Sequence, residues 1–289
     1  MPETDRQLAE RRLDVWRRAY ALIDHRSDFS GPLYDAGYRD VQIEPTLDNE
    51  SEPDLIAVSD THFAVLEISC GPNKDFRGLR RYAAGGLTPA LRSRFGDRPR
   101  EPAGSPFFVT NTSGFVSFPN EMNAIRVSDP AECRLVNVSD SRLLEALNRW
   151  SGFPGPTPAY GLKALPESSI EEVKFPLAGI IRQVASTGGR VSATEIVSPL
   201  LGELSQSVSQ AGRARLGRTV ATLLERAAFY LKDYARWEAE GRSLVVNVID
   251  NTQARKSFSK ALSDWLGTRF LESFSIEPEG NPEEGEDER

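Results

Sequence analysis

The sequence predicts an α/β protein of the α+β kind, a mixed sheet flanked by helices followed by a mostly helical region. Three observations carry this. Over residues 1–150 the apolar patterns run helix, three strands, helix, two strands, helix, an order that a mixed sheet accommodates. The strands near Asp54–Ser59 and Phe63–Cys70 are filled with aliphatic and aromatic residues, as strands of a central sheet are. A segment dense in proline and glycine, Ser151–Ser168, then divides this part from one whose apolar residues recur at helical spacing.

Taken in order, Leu8–Ile23 places Leu8, Leu13, Val15, Trp16, Ala19, Tyr20 and Ile23 at roughly helical spacing, with arginines between them. Asp28–Gly37 reads as a loop, Val41–Glu44 as a short strand and Thr46–Glu52 as a polar turn. The two apolar strands follow, joined by a tight turn at Asp60 and Thr61, and Gly71-Pro72-Asn73 ends the second. Phe76–Ala84 and Thr88–Phe95 read as helices, Pro106–Thr110 and Arg134–Val138 as strands. Ser141–Trp150 reads as a helix opened by Asp140 or Ser141. Beyond the linker, Ile170–Ser186 is a helix in which Pro176 marks a kink or a later start. Ser192 and Glu195 have capping-box spacing and open a second helix. A third spans Ala211–Glu240, Leu244–Ile249 alternates like an edge strand or wing, and Arg255–Phe274 is a final amphipathic helix. The expected organisation is a domain over 1–150, a linker over 151–168, a helical domain over 169–275 and a disordered acidic tail over 276–289.

Bulk properties exclude several classes. No apolar run reaches the 18 residues of a membrane span, and the polar N-terminus is unlike a signal peptide. Only Cys70 and Cys133 are present, which excludes a disulfide framework and fits a cytoplasmic setting. Neither belongs to a CxxC pair, and with only His25 and His62 a structural zinc site is not expected. P-loop, GxGxxG and HExxH motifs are absent. The net charge of -7 is concentrated in the tail, where seven acids from Glu277 to Glu288 stand against Arg289 and leave the rest near neutral. Within that rest, Arg77–Arg100 holds seven arginines and one acid, Asp97, an asymmetry that suits either a phosphate-facing patch or a solvated helix face.

The chemistry sits in the hairpin. Asp54 opens its first strand and Glu67 lies inside its second, so two carboxylates can converge on one side of a sheet, the hard oxygen set that Mg²⁺ or Mn²⁺ takes. Ser69, two residues beyond Glu67, shares its face. Pro53-Asp54, then Glu67-Ile68-Ser69, then Leu79-Arg80-Arg81-Tyr82-Ala83 resembles the PD-(D/E)xK, restriction-endonuclease-like nuclease superfamily over residues 5 to 150. The resemblance implies a restriction-endonuclease-like mixed sheet and a metal at Asp54 and Glu67. It also implies a helix contribution from Arg80 or Arg81, with Arg77 beside them, and an acid from the first helix, to which Glu10 and Asp14 are nearest. It further implies a role in host defence or DNA maintenance.

One position departs from the pattern. Ser69 stands where the superfamily has lysine, and serine cannot supply that charge. Two expectations therefore stand together: a nuclease in which Lys74 reaches back from the turn after the strand, or a nuclease scaffold that binds DNA or a partner subunit without cutting. The bland alternative has Asp54 capping a turn and Glu67 paired with an arginine such as Arg80. His25 and His62 read as cap and turn residues, and Cys70, on the face opposite Ser69, as a core thiol.

The C-terminal helices followed by a strand are similar in order to the winged-helix module that accompanies Mrr-type restriction nucleases. In that reading Arg213, Arg215 and Arg218 meet nucleic acid at the start of the third helix. The same helix carries Leu223, Leu224, Ala227, Leu231 and Trp237, a load that also suits a core or an oligomer interface. The partners expected are nucleic acid, a second copy or a partner subunit, and no membrane.

Overall fold

The computed structural model describes residues 5–45, 53–70, 89–96, 100–111, 122–249 and 251–267. It divides into two units. The first is Met1–Pro176 with Ala193–Ala221, and the second is Leu177–Ser192 with Thr222–Arg289. None of the described helices is long and apolar enough to cross a membrane.

The first unit begins with α1 (Asp5–Ala21), which buries Leu13, Val15, Trp16 and Ala19, the stripe its periodicity predicts. A short helix α2 (Pro32–Asp35) lies inside the predicted loop, opened by a proline whose missing N–H is no loss there. Strands β1 (Asp40–Ile43), β2 (Leu55–Val58) and β3 (His62–Ser69) form an antiparallel meander. Next come α3 (Pro89–Phe95), β4 (Glu101–Pro102) and β5 (Phe107–Thr110), and both strands run parallel to β3. The sheet is completed by β6 (Asn123–Arg126), parallel to β5, and β7 (Glu132–Arg134), antiparallel to β6. Its order is β1-β2-β3-β5-β6-β7, with β4 beside β3.

The registers Ile56↔Val65 and Val58↔Phe63 put these four residues on one face. They cluster there with Leu91 and Phe95 of α3 and with Met122. Parity along β3 places Glu67 and Ser69 on that same face, and Asp54 immediately precedes β2.

Strand content near the far edge differs from the sequence reading. β6 is not foreseen, because its four residues open with asparagine, a poor strand former. The strand read over Arg134–Val138 begins and ends earlier, as β7. Val136 is exposed, and the N–H groups of Val136 and Asn137 donate to the Asn123 side chain instead of to a ladder. The helix read over Phe76–Ala84 lies outside the described residues.

Helix α4 (Ser141–Arg149) is capped by Asp140, which accepts from the N–H groups of Arg142 and Leu143. The other oxygen of that buried carboxylate accepts from Tyr38 Oη at 2.9 Å. Asp140→Ala removes the cap and one hydrogen-bond partner of a buried phenol. We expect it to cost about 2–3 kcal/mol in urea unfolding, while Tyr38→Phe, which leaves the cap in place, costs about 1 kcal/mol.

Residues 151–168 are more than a linker. Tyr160, Leu162, Ala164, Leu165, Pro166 and Ser168 are buried. The Lys163 N–H donates to Leu200 O at 2.8 Å, and the Glu203 N–H donates to Tyr160 O at 2.9 Å. The contact is close enough that a Cβ on Gly202, at φ 57°, would stand 2.1 Å from Tyr160 O. Proline and glycine density reports the lack of a regular element, not solvation.

The remaining elements are α5 (Ile170–Thr187), β8 (Gly189–Ser192), α6 (Ala193–Leu201), a 3₁₀ turn (Gly202–Gln206), α7 (Gln210–Tyr230), β9 (Ala235–Glu238), β10 (Ser243–Val246) and α8 (Thr252–Leu266). Pro176 lies inside α5 and not at its start. β8, β10 and β9 form an antiparallel sheet in that order, so the predicted edge strand is the central one, with Ser243, Leu244 and Val246 buried. α7 ends ten residues before the predicted Glu240. Leu231, Tyr234 and Trp237 keep a spacing of three past the helix end and imitate a further turn, while the backbone has already turned into β9. α8 stops at Gly267, whose φ of 70° ends the helix in the left-handed region, short of the predicted Phe274.

Candidate functional site

Three strands bring three carboxylates level. Leu55 pairs with Leu66 on one side and with Ile43 on the other. One step further along each strand sets Asp54 opposite Glu67 and Glu44 opposite Asp54. The Glu44 N–H donates to Asp54 O at 2.9 Å, so the row is held through its backbone. The N–H of Ile68 donates to Asp54 Oδ2 at 2.6 Å and fixes the orientation of that carboxylate. Glu67 is 5 % exposed. Ser69 is level with Thr110 of β5, which sets two hydroxyls beside the carboxylates.

Glu44 is the member of the row that sequence does not single out. Its φ of 47° is unusual for a residue with a side chain. Burial first, then the Glu167 carboxyl beside it and the charge of Asp54, hold its pKa far above the ordinary carboxylate range against the pull of Arg215. Arg215 Nη1 lies 3.2 Å from Glu44 Oε2. Glu167 in turn accepts from Arg12 at 3.1 Å, and Arg12 also holds Glu172 at 2.7 and 2.9 Å.

The other residues singled out from sequence are placed as follows. Lys74, Arg77, Arg80 and Arg81 lie outside the described residues. Arg213 donates to Ser205 O at 3.1 Å, Arg215 is bound to Glu44, and Arg218 is exposed on α7. Asp14 is paired with Arg18 within α1, and Glu10 is exposed on the same helix. His25 stacks on Tyr34, with ring centroids 4.8 Å apart. His62 opens β3, five residues and roughly 17 Å from Glu67 along an extended strand. It lies 3.7 Å from the Asp140 carboxylate. Cys70 and Cys133 are both free thiols, and burial pushes Cys133 up to about 12.

Among the described residues no group of three or more His, Cys, Asp and Glu side chains is disposed to hold a metal ion. The pair Asp54 and Glu67 still matches one chemistry. Mg²⁺ is commonly held by one or two carboxylates and completes its shell with waters and substrate phosphates. Glu44 escapes the sequence reading because only the strand registers, continued by one residue, reveal that it is level with Asp54. Comparison with family models, curated proteins and solved structures finds no match.

Proposed function

We propose that the chain is a metal-dependent nuclease of the restriction-endonuclease-like, PD-(D/E)xK kind, with a winged-helix module engaging DNA. One observation carries the reading: the β2–β3 register, continued by one residue, brings Asp54 level with Glu67, and the Ile68 N–H donates to the Asp54 carboxylate. Hairpin, parallel strand and surrounding helices follow the order that this superfamily leads one to expect. A divalent cation at Asp54 and Glu67 would neutralise phosphate charge and lower the pKa of an attacking water. The Ile68 N–H holds the Asp54 carboxylate in place for this task, and the burial of Glu67 strengthens its interaction with any positive charge nearby. The Ser69 hydroxyl can donate a hydrogen bond to a phosphate oxygen but brings no charge.

The DNA-binding part of the proposal rests on connectivity. The order α5, β8, α6, α7, β9, β10, with β10 central in a three-stranded antiparallel sheet, matches the order expected of a winged helix. In such modules the third helix, here α7, enters the major groove and the β9–β10 hairpin is the wing. The described part of the second unit also carries more Lys and Arg than Asp and Glu, in a chain that is acidic overall.

Ser69 favours a second reading, a scaffold of the same fold that binds DNA without cutting it. One assay separates the two. Duplex DNA, single-stranded DNA and RNA are incubated with the protein in Mg²⁺, in Mn²⁺ and in EDTA. The nuclease reading expects cleavage in either metal and none in EDTA. Intact substrates in every metal condition, together with salt-dependent DNA binding, would leave only the binding protein.

A further inference from the structure

A guanidinium on another element reaches the carboxyl row at Glu44. Ser207–Ser209 extends the sheet beyond β1: the Ile43 N–H donates to Ser207 O at 2.7 Å, and the Ser209 N–H donates to Ile43 O at 3.0 Å. This pairing seats the start of α7 beside Glu44. The Ser209 hydroxyl accepts from the Gly212 N–H at 3.0 Å and caps the helix. Gly212 is what lets the helix come this close, because a Cβ there would stand 3.0 Å from Glu44 Oε2. Nearly one turn later Arg215 sets its guanidinium on that same oxygen, with 37 % of its side chain open to solvent. Arg12, a second arginine near the site, is committed to Glu167 and Glu172. We propose that Arg215 is the phosphate-side cation of this site, carried in by α7 to stand in for the lysine that Ser69 replaces. The proposal rests on the nuclease reading for its chemistry, and its geometry lies within the first unit.

The test uses the full-length protein with two measurements, cleavage rate in Mg²⁺ or Mn²⁺ and the salt dependence of duplex DNA binding in EDTA. Arg215→Ala is expected to cleave about 100-fold more slowly, the scale of losing one preorganised charge stabiliser, and Arg215→Lys to recover most of that loss. In the binding arm, Arg215→Ala is expected to reduce the slope of log K against log salt by about 0.9, the loss of one phosphate contact. Arg149→Ala, which removes an exposed arginine of α4, serves as control and changes neither. The double variant Glu44→Gln/Arg215→Ala removes the carboxyl left without its partner and guards against misfolding. If that double variant melts like wild type and also cleaves like wild type, the proposal is overturned. If wild type cuts nothing, the nuclease reading fails and the binding arm decides alone: a reduced slope keeps Arg215 as a phosphate contact, and an unchanged slope removes it.

Discussion

Glu67→Gln is expected to lower metal-dependent cleavage by about 1,000-fold or more, and Asp54→Asn to do the same, with the fold intact in both. Both replacements keep shape and remove charge. In Asp54→Asn the new amide oxygen can still accept the Ile68 N–H that Asp54 Oδ2 now accepts at 2.6 Å, so the start of β2 stays tied to β3. In Glu67→Gln a buried neutral amide is easier to accommodate than the buried carboxylate it replaces. DNA binding without metal gives a second and opposite readout. Were this face to receive phosphates, as proposed, its carboxylates would repel them, so removing either charge is expected to raise metal-free affinity or leave it unchanged. Loss of cleavage with retained melting temperature and retained or stronger DNA binding marks a catalytic site. Cleavage by Glu67→Gln at the wild-type rate would end the assignment, because no other residue of the row replaces its position on β3.

The parts of this arrangement that sequence reveals are those governed by local periodicity. The stripe of α1, the continuous apolar runs of β2 and β3 and a polar cap at Asp140 or Ser141 all follow from residues close together in the chain. The period of two along an extended strand is enough to put Glu67 and Ser69 on one side of β3. What stays hidden depends on pairing between distant segments. Glu44 becomes part of the row only through the β1–β2 register. Arg215 becomes its partner only because Ser207–Ser209 adds to the edge of β1. Sequence places Arg215 at the start of a DNA-reading helix on its charge alone, and charge does not say which anion it meets. Tyr160–Ser168 is hidden for a related reason. Its prolines and glycines exclude helix and strand, but its apolar residues are buried between them.

Asn123→Ala is expected to be the most destabilising single substitution considered, by about 3–4 kcal/mol, or a drop near 10 °C in melting temperature. Asn123 is fully buried at the start of β6, and its amide makes four hydrogen bonds to backbone. Nδ2 donates to Ser105 O at 2.8 Å and to Asn137 O at 2.9 Å. Oδ1 accepts from the N–H groups of Val136 at 2.9 Å and Asn137 at 3.2 Å. Alanine removes both halves at once and leaves backbone groups of two segments to find water or go unpaired. The Ser105 N–H still donates to Asn137 O at 3.0 Å, and Val136 is half exposed, which keeps the expected loss below the full sum for four orphaned groups. Asn123→Asp tests whether the amide is needed as donor as well as acceptor. Its carboxylate can accept from Val136 and Asn137 but faces the carbonyls of Ser105 and Asn137 with a second oxygen. Burial and those carbonyls raise its folded pKa above the unfolded value, so the variant binds its proton more tightly when folded. Its stability deficit is therefore smallest below the unfolded carboxylate pKa and grows as pH rises towards the folded one. Urea unfolding of wild type and both variants at about pH 5 and about pH 8 reads this directly. A melting shift below about 2 °C for Asn123→Ala would mean that the amide does not tie these strands together. An Asp variant whose deficit does not grow with pH would mean that the carbonyls are not where its second oxygen points.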